Sequence, residues 1–142
     1  MMKTTKSSYP RARKRFGQHF LEAAWVARLV DAVTPEQTDT FLEIGPGRGA
    51  LTQALASRVR RLIAVEIDRD LVPSLRASMP GNVEIMEGDA LEVEWPAGVF
   101  HVVGNLPYNV ATPLLKRFIE NRSRIHDVTI MIQKEVAERL MA

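Results

Sequence analysis

Apolar residues recur with two different periods along this chain. Segments with the i, i+3, i+4, i+7 spacing of an amphipathic helix alternate with short runs that are apolar throughout. The predicted helices span residues 23–33, 50–59, 70–79, 112–120 and 134–141. The predicted strands span residues 40–44, 62–67, 83–86, 99–103 and 128–132. In the third helix we expect Asp70 to cap a first turn that contains Pro73.

The predicted strands lack the regular alternation of a sheet with one wet face. Strands that are apolar on both sides are typical of a parallel sheet covered by helices on both faces. Together with the strand–helix alternation, this predicts a doubly wound α/β domain. No internal repeat or low-complexity linker interrupts the pattern.

Composition excludes several classes of protein and site. The 142 residues suffice for one modest domain, and the absence of cysteine excludes disulfides and cysteine-ligated metals. The three histidines, at positions 19, 101 and 126, lack the spacing of metal ligands, so we predict no metal site. No apolar run approaches the about 20 residues of a membrane helix, and no signal-peptide core follows the first charges. We therefore expect a cytoplasmic protein without a membrane partner.

Positive charge is concentrated at the start of the chain. Residues 1–15 hold six of the 19 basic residues and no acid, which leaves 13 basic against 17 acidic residues, or −4, in the remainder. Such an arm favours contact with nucleic acid, although a solvated tail is an equally good interpretation and a transit peptide a weaker third. We accordingly divide the chain into an arm, 1–15, and a domain, 16–142.

Glycines and carboxylates follow the first three predicted strands. Gly45, Gly47 and Gly49 follow the first, Glu66 closes the second, and Asp89 follows the third. Ligands of such sheets bind at the carboxyl ends of the strands, where glycines allow close approach to the main chain. An acid at the second strand end can accept hydrogen bonds from both ribose hydroxyls. The combination predicts a nucleoside cofactor.

The glycine spacing bears on which cofactor binds. The fingerprint of dinucleotide sites is G-x-G-x-x-G, whereas this chain has G-x-G-x-G. S-adenosylmethionine has no pyrophosphate to place on the helix, and Asp89 can accept from an adenine amino group. These features favour a methyltransferase over a nicotinamide-dependent oxidoreductase, for which no Tyr-x-x-x-Lys pair is present either.

The stretch GNLPYN, residues 104–109, follows the fourth strand. An adenine amino group is a poor nucleophile, because its lone pair is delocalised into the ring. The Asn105 side chain and a main-chain carbonyl at Leu106 or Pro107 could accept hydrogen bonds from it, and Tyr108 could stack on an extruded base. The alternative is a simple proline turn beside a half-buried tyrosine.

Taken together, these motifs resemble the ribosomal RNA adenine N6,N6-dimethyltransferase family. Five stretches carry the resemblance: RKRFGQHFL (13–21), LEIGPGRGALT (42–52), VEIDRDL (65–71), GNLPYNVATPLL (104–115) and IQKEVAERL (132–140). The resemblance implies a Rossmann-like class I S-adenosylmethionine-dependent methyltransferase fold. It also implies dimethylation of two adjacent adenosines in small-subunit ribosomal RNA, in ribosome biogenesis, by a monomer acting on immature small subunits.

Site residues follow from the resemblance as well. It implies cofactor contacts from Gly45, Gly47, Glu66, Asp89 and Asn105, from the Leu21 main chain, and from His19, where the family usually has asparagine. The target-adenine pocket would be formed by residues 105–108.

Length is the main departure from the family, whose members are about twice as long. They continue with two more strands and a small helical domain, so we expect a fragment whose fifth strand is a sheet edge. Low activity of the chain on its own is the corresponding expectation. A non-catalytic RNA-binding factor with the same fold is the alternative function, which an intact Glu66 and NLPY argue against.

Overall fold

The computed structural model describes residues 11–132, with side chains from residue 22 onward. The helices are α1 (Arg11–Val33), α2 (Ala50–Ala56), α3 (Val72–Ser78) and α4 (Tyr108–Glu120). The strands are β1 (Thr40–Ile44), β2 (Arg61–Glu66), β3 (Val83–Glu87), β4 (Phe100–Leu106) and β5 (Ile125–Ile132). The helix predicted over 134–141 and most of the basic arm lie outside the described residues, as do the side chains of His19 and Leu21.

The five strands form one parallel sheet in the order β3-β2-β1-β4-β5. Strand order therefore reverses at β1, which pairs with β2 on one side and β4 on the other. Within residues 11–132, β5 is the outermost strand beside β4. The parallel arrangement predicted from the apolar strands is confirmed.

Each face of the sheet has its own apolar core. On one face, side chains of α1, α2 and α3 pack on Phe41 and Leu62. On the other face, α4 packs on Leu42, Ile63 and Phe100. Adjacent strand residues point to opposite faces, so both sides of β1 and β2 are buried. Of the helices in the described part of the chain, none has the length and hydropathy needed to cross a bilayer.

Two element boundaries differ from the sequence prediction. Helix α1 begins at Arg11 rather than at residue 23. Strand β4 continues through Asn105 and Leu106, and α4 begins at Tyr108, so the predicted loop shrinks to Pro107. The extended backbone of Pro107, φ −71° and ψ 158°, allows this direct passage from strand to helix. Pro113 lies inside α4, where the sequence pattern alone placed a helix start.

The start of α3 also differs in detail. Pro73 lies in the first turn as predicted, but the expected Asp70 cap was wrong: Leu71 is the capping residue and makes no side-chain cap. The Asp70 backbone N–H instead donates to Asp68 Oδ1 at 2.9 Å. Asp70 is thus part of a tight turn leading out of β2, one residue too early to cap the helix.

Candidate functional site

The turn after β1 is built from glycines with positive φ. Gly45, Gly47 and Gly49 have φ of 72°, 59° and 91°, a region that side chains rarely adopt. The Gly45 N–H donates to the Val65 carbonyl at 2.9 Å, which fastens the start of the turn to β2. A Cβ on Gly49 would lie 2.3 Å from Met79 Cε. The turn therefore depends on glycine for its backbone shape, while the Met79 side chain could move aside for a Cβ at Gly49.

Glu66 ties the end of β2 to this turn. Its carboxylate is 5% exposed, and its two oxygens accept from different backbone N–H groups. Oε1 accepts from Gly47 and Oε2 from Asp68, each at 2.9 Å. Because each carboxylate oxygen can accept more than one hydrogen bond, both remain able to accept from a pair of ligand hydroxyls. Glu66 is therefore oriented before any ligand binds.

A second buried glutamate lies beside Glu66 and was not among the predicted site residues. Glu43 is 2% exposed, and Thr52 Oγ1 donates to its Oε1 at 2.6 Å. Burial raises the pKa of Glu43 to about 7, a rise that the Thr52 hydrogen bond opposes and the Glu66 charge increases. An acid inside an otherwise apolar strand was the sequence signal that could have revealed it.

The segment after β3 is held by a cation from α4. Arg117 donates to the carbonyls of Ala90 and Val93, and its guanidinium carbon lies 4.0 Å from the Trp95 ring centroid. Trp95 Nε1 donates to the same Ala90 carbonyl at 3.1 Å. Asp89, at the start of the segment, accepts from the Leu91 N–H at 2.9 Å. Sequence reasoning identified Asp89 but not the Arg117–Trp95 pair that fixes the residues after it.

The end of β4 passes unusually close to β1. A Cβ on Gly104 would lie 2.9 Å from the Ile44 carbonyl oxygen, so this close approach of the two strands requires glycine. Leu106 is buried, and its Cδ2 lies 3.4 Å from the position of a Cβ on Gly45. Leu106 at the end of β4 thus packs against the first glycine of the turn.

One of the two predicted carbonyl acceptors is already hydrogen-bonded within the chain. The Pro107 carbonyl accepts from the N–H groups of Val110 and Ala111 at 3.1 and 3.0 Å, as the first acceptor of α4. The other, on Leu106, belongs to the last paired residue of β4. Tyr108 is half-buried at the first position of α4, and its own carbonyl accepts from Thr112 Oγ1 at 2.8 Å.

Strand register gathers these groups at one edge of the sheet. Ile44 is level with Val65 in β2 and with Gly104 in β4, and the Gly88 N–H donates to the Glu66 carbonyl at 2.9 Å. The predicted residues that follow β1, β2, β3 and β4 therefore share the carboxyl edge, on both sides of the switch in strand order. That edge is where open α/β sheets bind ligands.

Comparison with known proteins gives a consistent result. A family model described as ribosomal RNA adenine dimethylase matches residues 10–142. The ribosomal RNA small subunit methyltransferase A of Acidithiobacillus ferrooxidans is 44% identical over 140 residues, which is 94% of this chain and 52% of that protein. The chain spans about half the length of the curated relatives it matches.

Two solved structures have similar folds. The 23S rRNA methyltransferase ErmE superposes with a TM-score of 0.72 and 34% identity, over 80% of this chain and 47% of that one. A dimethyladenosine transferase from Plasmodium falciparum gives a TM-score of 0.69 and 29% identity, over 84% of this chain and 44% of that one. These similarities confirm the predicted fold class.

Proposed function

Since this chain belongs to the ribosomal RNA adenine dimethylase family, we propose that the protein transfers methyl groups from S-adenosylmethionine to N6 of two adjacent adenosines in small-subunit ribosomal RNA. The observation that carries the proposal is the pre-oriented Glu66 carboxylate beside a glycine turn, with the Asn105–Leu106 strand end on the neighbouring side. The proposal includes a monomer in the cytoplasm that acts on immature small subunits.

The residues present fit a nucleoside that carries an amino-acid chain. Both Glu66 oxygens keep acceptor capacity for ribose hydroxyls. At Gly47 the glycine turn leaves its main chain open, since a Cβ there would meet no atom within 4 Å. Asp89 follows β3, on the side of Glu66 where an adenine attached to that ribose would lie. Asn105 would contact the opposite, aminoacyl end. His19 and Leu21 remain proposed cofactor contacts from α1.

The cofactor supplies an electrophilic methyl group on a sulfonium. In our proposal the Asn105 side-chain oxygen and the Leu106 carbonyl accept hydrogen bonds from the target amine and direct its lone pair at that carbon. Because the cofactor would become a neutral thioether once its methyl group is on nitrogen, these residues would need only to position the amine, whose proton could pass to water. Pro107 fixes the backbone, Tyr108 stacks on the base, and positioning accounts for most of the rate.

Calorimetric titration of the chain with S-adenosylmethionine tests the cofactor site. We expect binding that Glu66→Ala weakens at least about tenfold, because the ribose loses a charged acceptor. Glu87→Ala is the matched control, since Glu87 is level with Glu66 in the next strand but is exposed. Unchanged binding in a folded Glu66→Ala variant would contradict the proposed site. Preference for NAD would favour an oxidoreductase instead.

Methylation of immature small subunits tests the substrate side. Tyr108→Ala should leave S-adenosylmethionine affinity unchanged and reduce methylation about fivefold or more, because base stacking on an aromatic ring contributes roughly 1–3 kcal/mol. Cofactor binding without any methylation, even at high protein concentration, would support the non-catalytic RNA-binding alternative.

A further inference from the structure

Four polar side chains meet at the amino end of the sheet, away from the site described above. His101 lies near the start of β4, His126 and Asp127 lie in β5, and Asp39 precedes β1. His101 is three residues before Gly104, and hence about 10 Å from the carboxyl edge of the sheet. Neither the proposed methyl transfer nor its cofactor uses any of these residues.

Three of the four side chains direct potential metal-ligating atoms toward one another. His101 Nδ1 is 3.0 Å from Asp127 Oδ1, and His126 Nδ1 is 3.3 Å from Asp127 Oδ2. The two imidazole rings face each other, with centroids 4.5 Å apart. Ligand atoms of all three residues lie within 4.8 Å of one another. Two imidazoles and a carboxylate therefore form one cluster of potential ligands.

An irregularity in β5 creates this arrangement. Phe100 pairs with Ile125, but His101 pairs with Asp127, so His126 is an extra residue in β5. In a regular strand, His126 and Asp127 would point to opposite faces of the sheet. The bulge instead brings both side chains to His101. Bulges that re-aim a side chain in this way are frequent at functional sites.

His101 is also held from its other side. Its Nε2 is 3.3 Å from Asp39 Oδ1, while Asp39 Oδ2 accepts from the Glu36 N–H at 2.8 Å. Its ring stacks on Phe41 with a centroid distance of 4.8 Å. The side chains of His101 and Asp39 are only 13% and 17% exposed. A histidine that ligates a metal typically donates its second ring N–H to such a carboxylate.

We propose that His101 Nδ1, His126 Nδ1 and the Asp127 carboxylate bind a first-row divalent cation, with Zn²⁺ as the best fit, and that Asp39 orients His101. Ligand atoms about 2.0–2.1 Å from zinc at tetrahedral angles lie about 3.3 Å apart. The two nitrogen–oxygen distances match this spacing, and side-chain rotation would bring the whole set, now within 4.8 Å, onto the ion. Two imidazoles with one carboxylate suit zinc better than magnesium or calcium, and a water completes the tetrahedron. The ion would cross-link β5 to β4.

The same contacts have a second interpretation without a metal. The ring of His101 would then serve only to bridge the carboxylates of Asp39 and Asp127, at 3.3 and 3.0 Å. That interpretation gives His126 no necessary role, because it needs only the three other groups. Removal of His126 therefore distinguishes the two.

The test is calorimetric titration of the metal-free chain, without an affinity tag, with zinc chloride at about pH 7.5, where ordinary imidazole is mostly neutral. We expect one equivalent of Zn²⁺ to bind. His126→Ala should abolish this binding, and Asp39→Asn should weaken it about 10- to 100-fold, as loss of an outer-shell carboxylate does. His19→Ala is the matched control, since it removes the third histidine and should leave the stoichiometry at one.

Thermal unfolding provides a second measurement of the same site. Zinc should raise the melting temperature of the unmodified chain and of His19→Ala, because it binds only the folded state, but not that of His126→Ala. His126 is well exposed, so its replacement should not prevent folding. No zinc binding, or equal binding by the chain with and without His126, would overturn the proposal.

Discussion

Replacement of Glu43 by glutamine should change how stability depends on pH. Glu43 is buried against α2 with one hydrogen bond from Thr52, and burial raises its pKa from 4.5 to about 7. Between those values the folded state keeps the proton that the unfolded chain has already released. The resulting stabilisation is complete below pH 4.5 and is lost as the pH rises through about 7.

The size of the effect follows from the two pKa values. At 1.36 kcal/mol per pH unit, the rise from 4.5 to about 7 corresponds to roughly 3 kcal/mol in the free energy of unfolding. Glu43→Gln has no ionisation to lose, and its amide oxygen can still accept from Thr52. Between about pH 5 and pH 8.5 the unmodified chain should therefore lose about 2.5 kcal/mol more than the variant.

Urea denaturation of both chains at the two pH values measures this difference directly. The pH-induced change in the unfolding free energy of the variant is subtracted from that of the unmodified chain, so pH effects from other carboxylates cancel. Glu87→Gln is the matched control, because it removes an exposed glutamate from a neighbouring part of the sheet. Parallel pH dependence in the unmodified chain and Glu43→Gln would refute the assignment of a buried, protonated Glu43.

Two further substitutions test the packing around the site. Gly104→Ala should destabilise the fold by about 1–3 kcal/mol in urea denaturation, because its Cβ would meet the Ile44 carbonyl oxygen at 2.9 Å. Gly81→Ala is the control and should change stability little, since a Cβ there meets no atom within 4 Å. Equal effects of the two substitutions would contradict the close approach of β4 to β1. Arg117→Met should speed amide hydrogen exchange in residues 89–96, because the Val93 carbonyl loses its donor from Arg117 and the Ala90 carbonyl keeps only that from Trp95. Arg122→Met should leave exchange in this segment unchanged. Unaltered exchange in the Arg117 variant would show that the segment holds its shape without it.

The core strands were predictable because strands buried on both faces are apolar at nearly every position. β1 matches its predicted bounds, and β2 differs by one residue at each end. The junction between β4 and α4 was not predictable in the same way. Asn105 and Pro107 are typical of turns, and it is pairing with β5 that keeps the strand extended through Asn105 and Leu106. Tertiary pairing here outweighs local preference.

The residues of the candidate site likewise divide into those that the sequence pattern predicts and those that only tertiary structure brings into place. Glu66 and Asp89 could be identified from their position after apolar strands, because the carboxyl ends of parallel strands always meet at one edge. The role of Arg117 could not be predicted, because nothing in the sequence of α4 indicates that its guanidinium donates to two carbonyls after β3. His101 and His126 are 25 residues apart, and only strand order and a bulge bring them together.

The position of β1 at the switch in strand order has a consequence for how the domain assembles. Paired residues in β1 and β2, such as Phe41 and Leu62, are 21 positions apart, whereas Phe41 and His101 in β1 and β4 are 60 apart. Closing the longer loop costs about 0.9 kcal/mol more in chain entropy. We therefore expect β1–β3 and β4–β5 to form as two local units that join last along β1 and β4.

The boundary between β1 and β4 is also where the two halves of the candidate site meet. The glycine turn and Glu66 belong to the first unit, and residues 105–108 belong to the second. During synthesis, β1–β3 leave the ribosome before β4, the strand that pairs with β1 and carries residues 105 and 106. The proposed pocket for the methyl donor and the proposed acceptors for the target amine would thus face each other only after the final docking step. Any activity of this site would then arise late in the folding of the nascent chain.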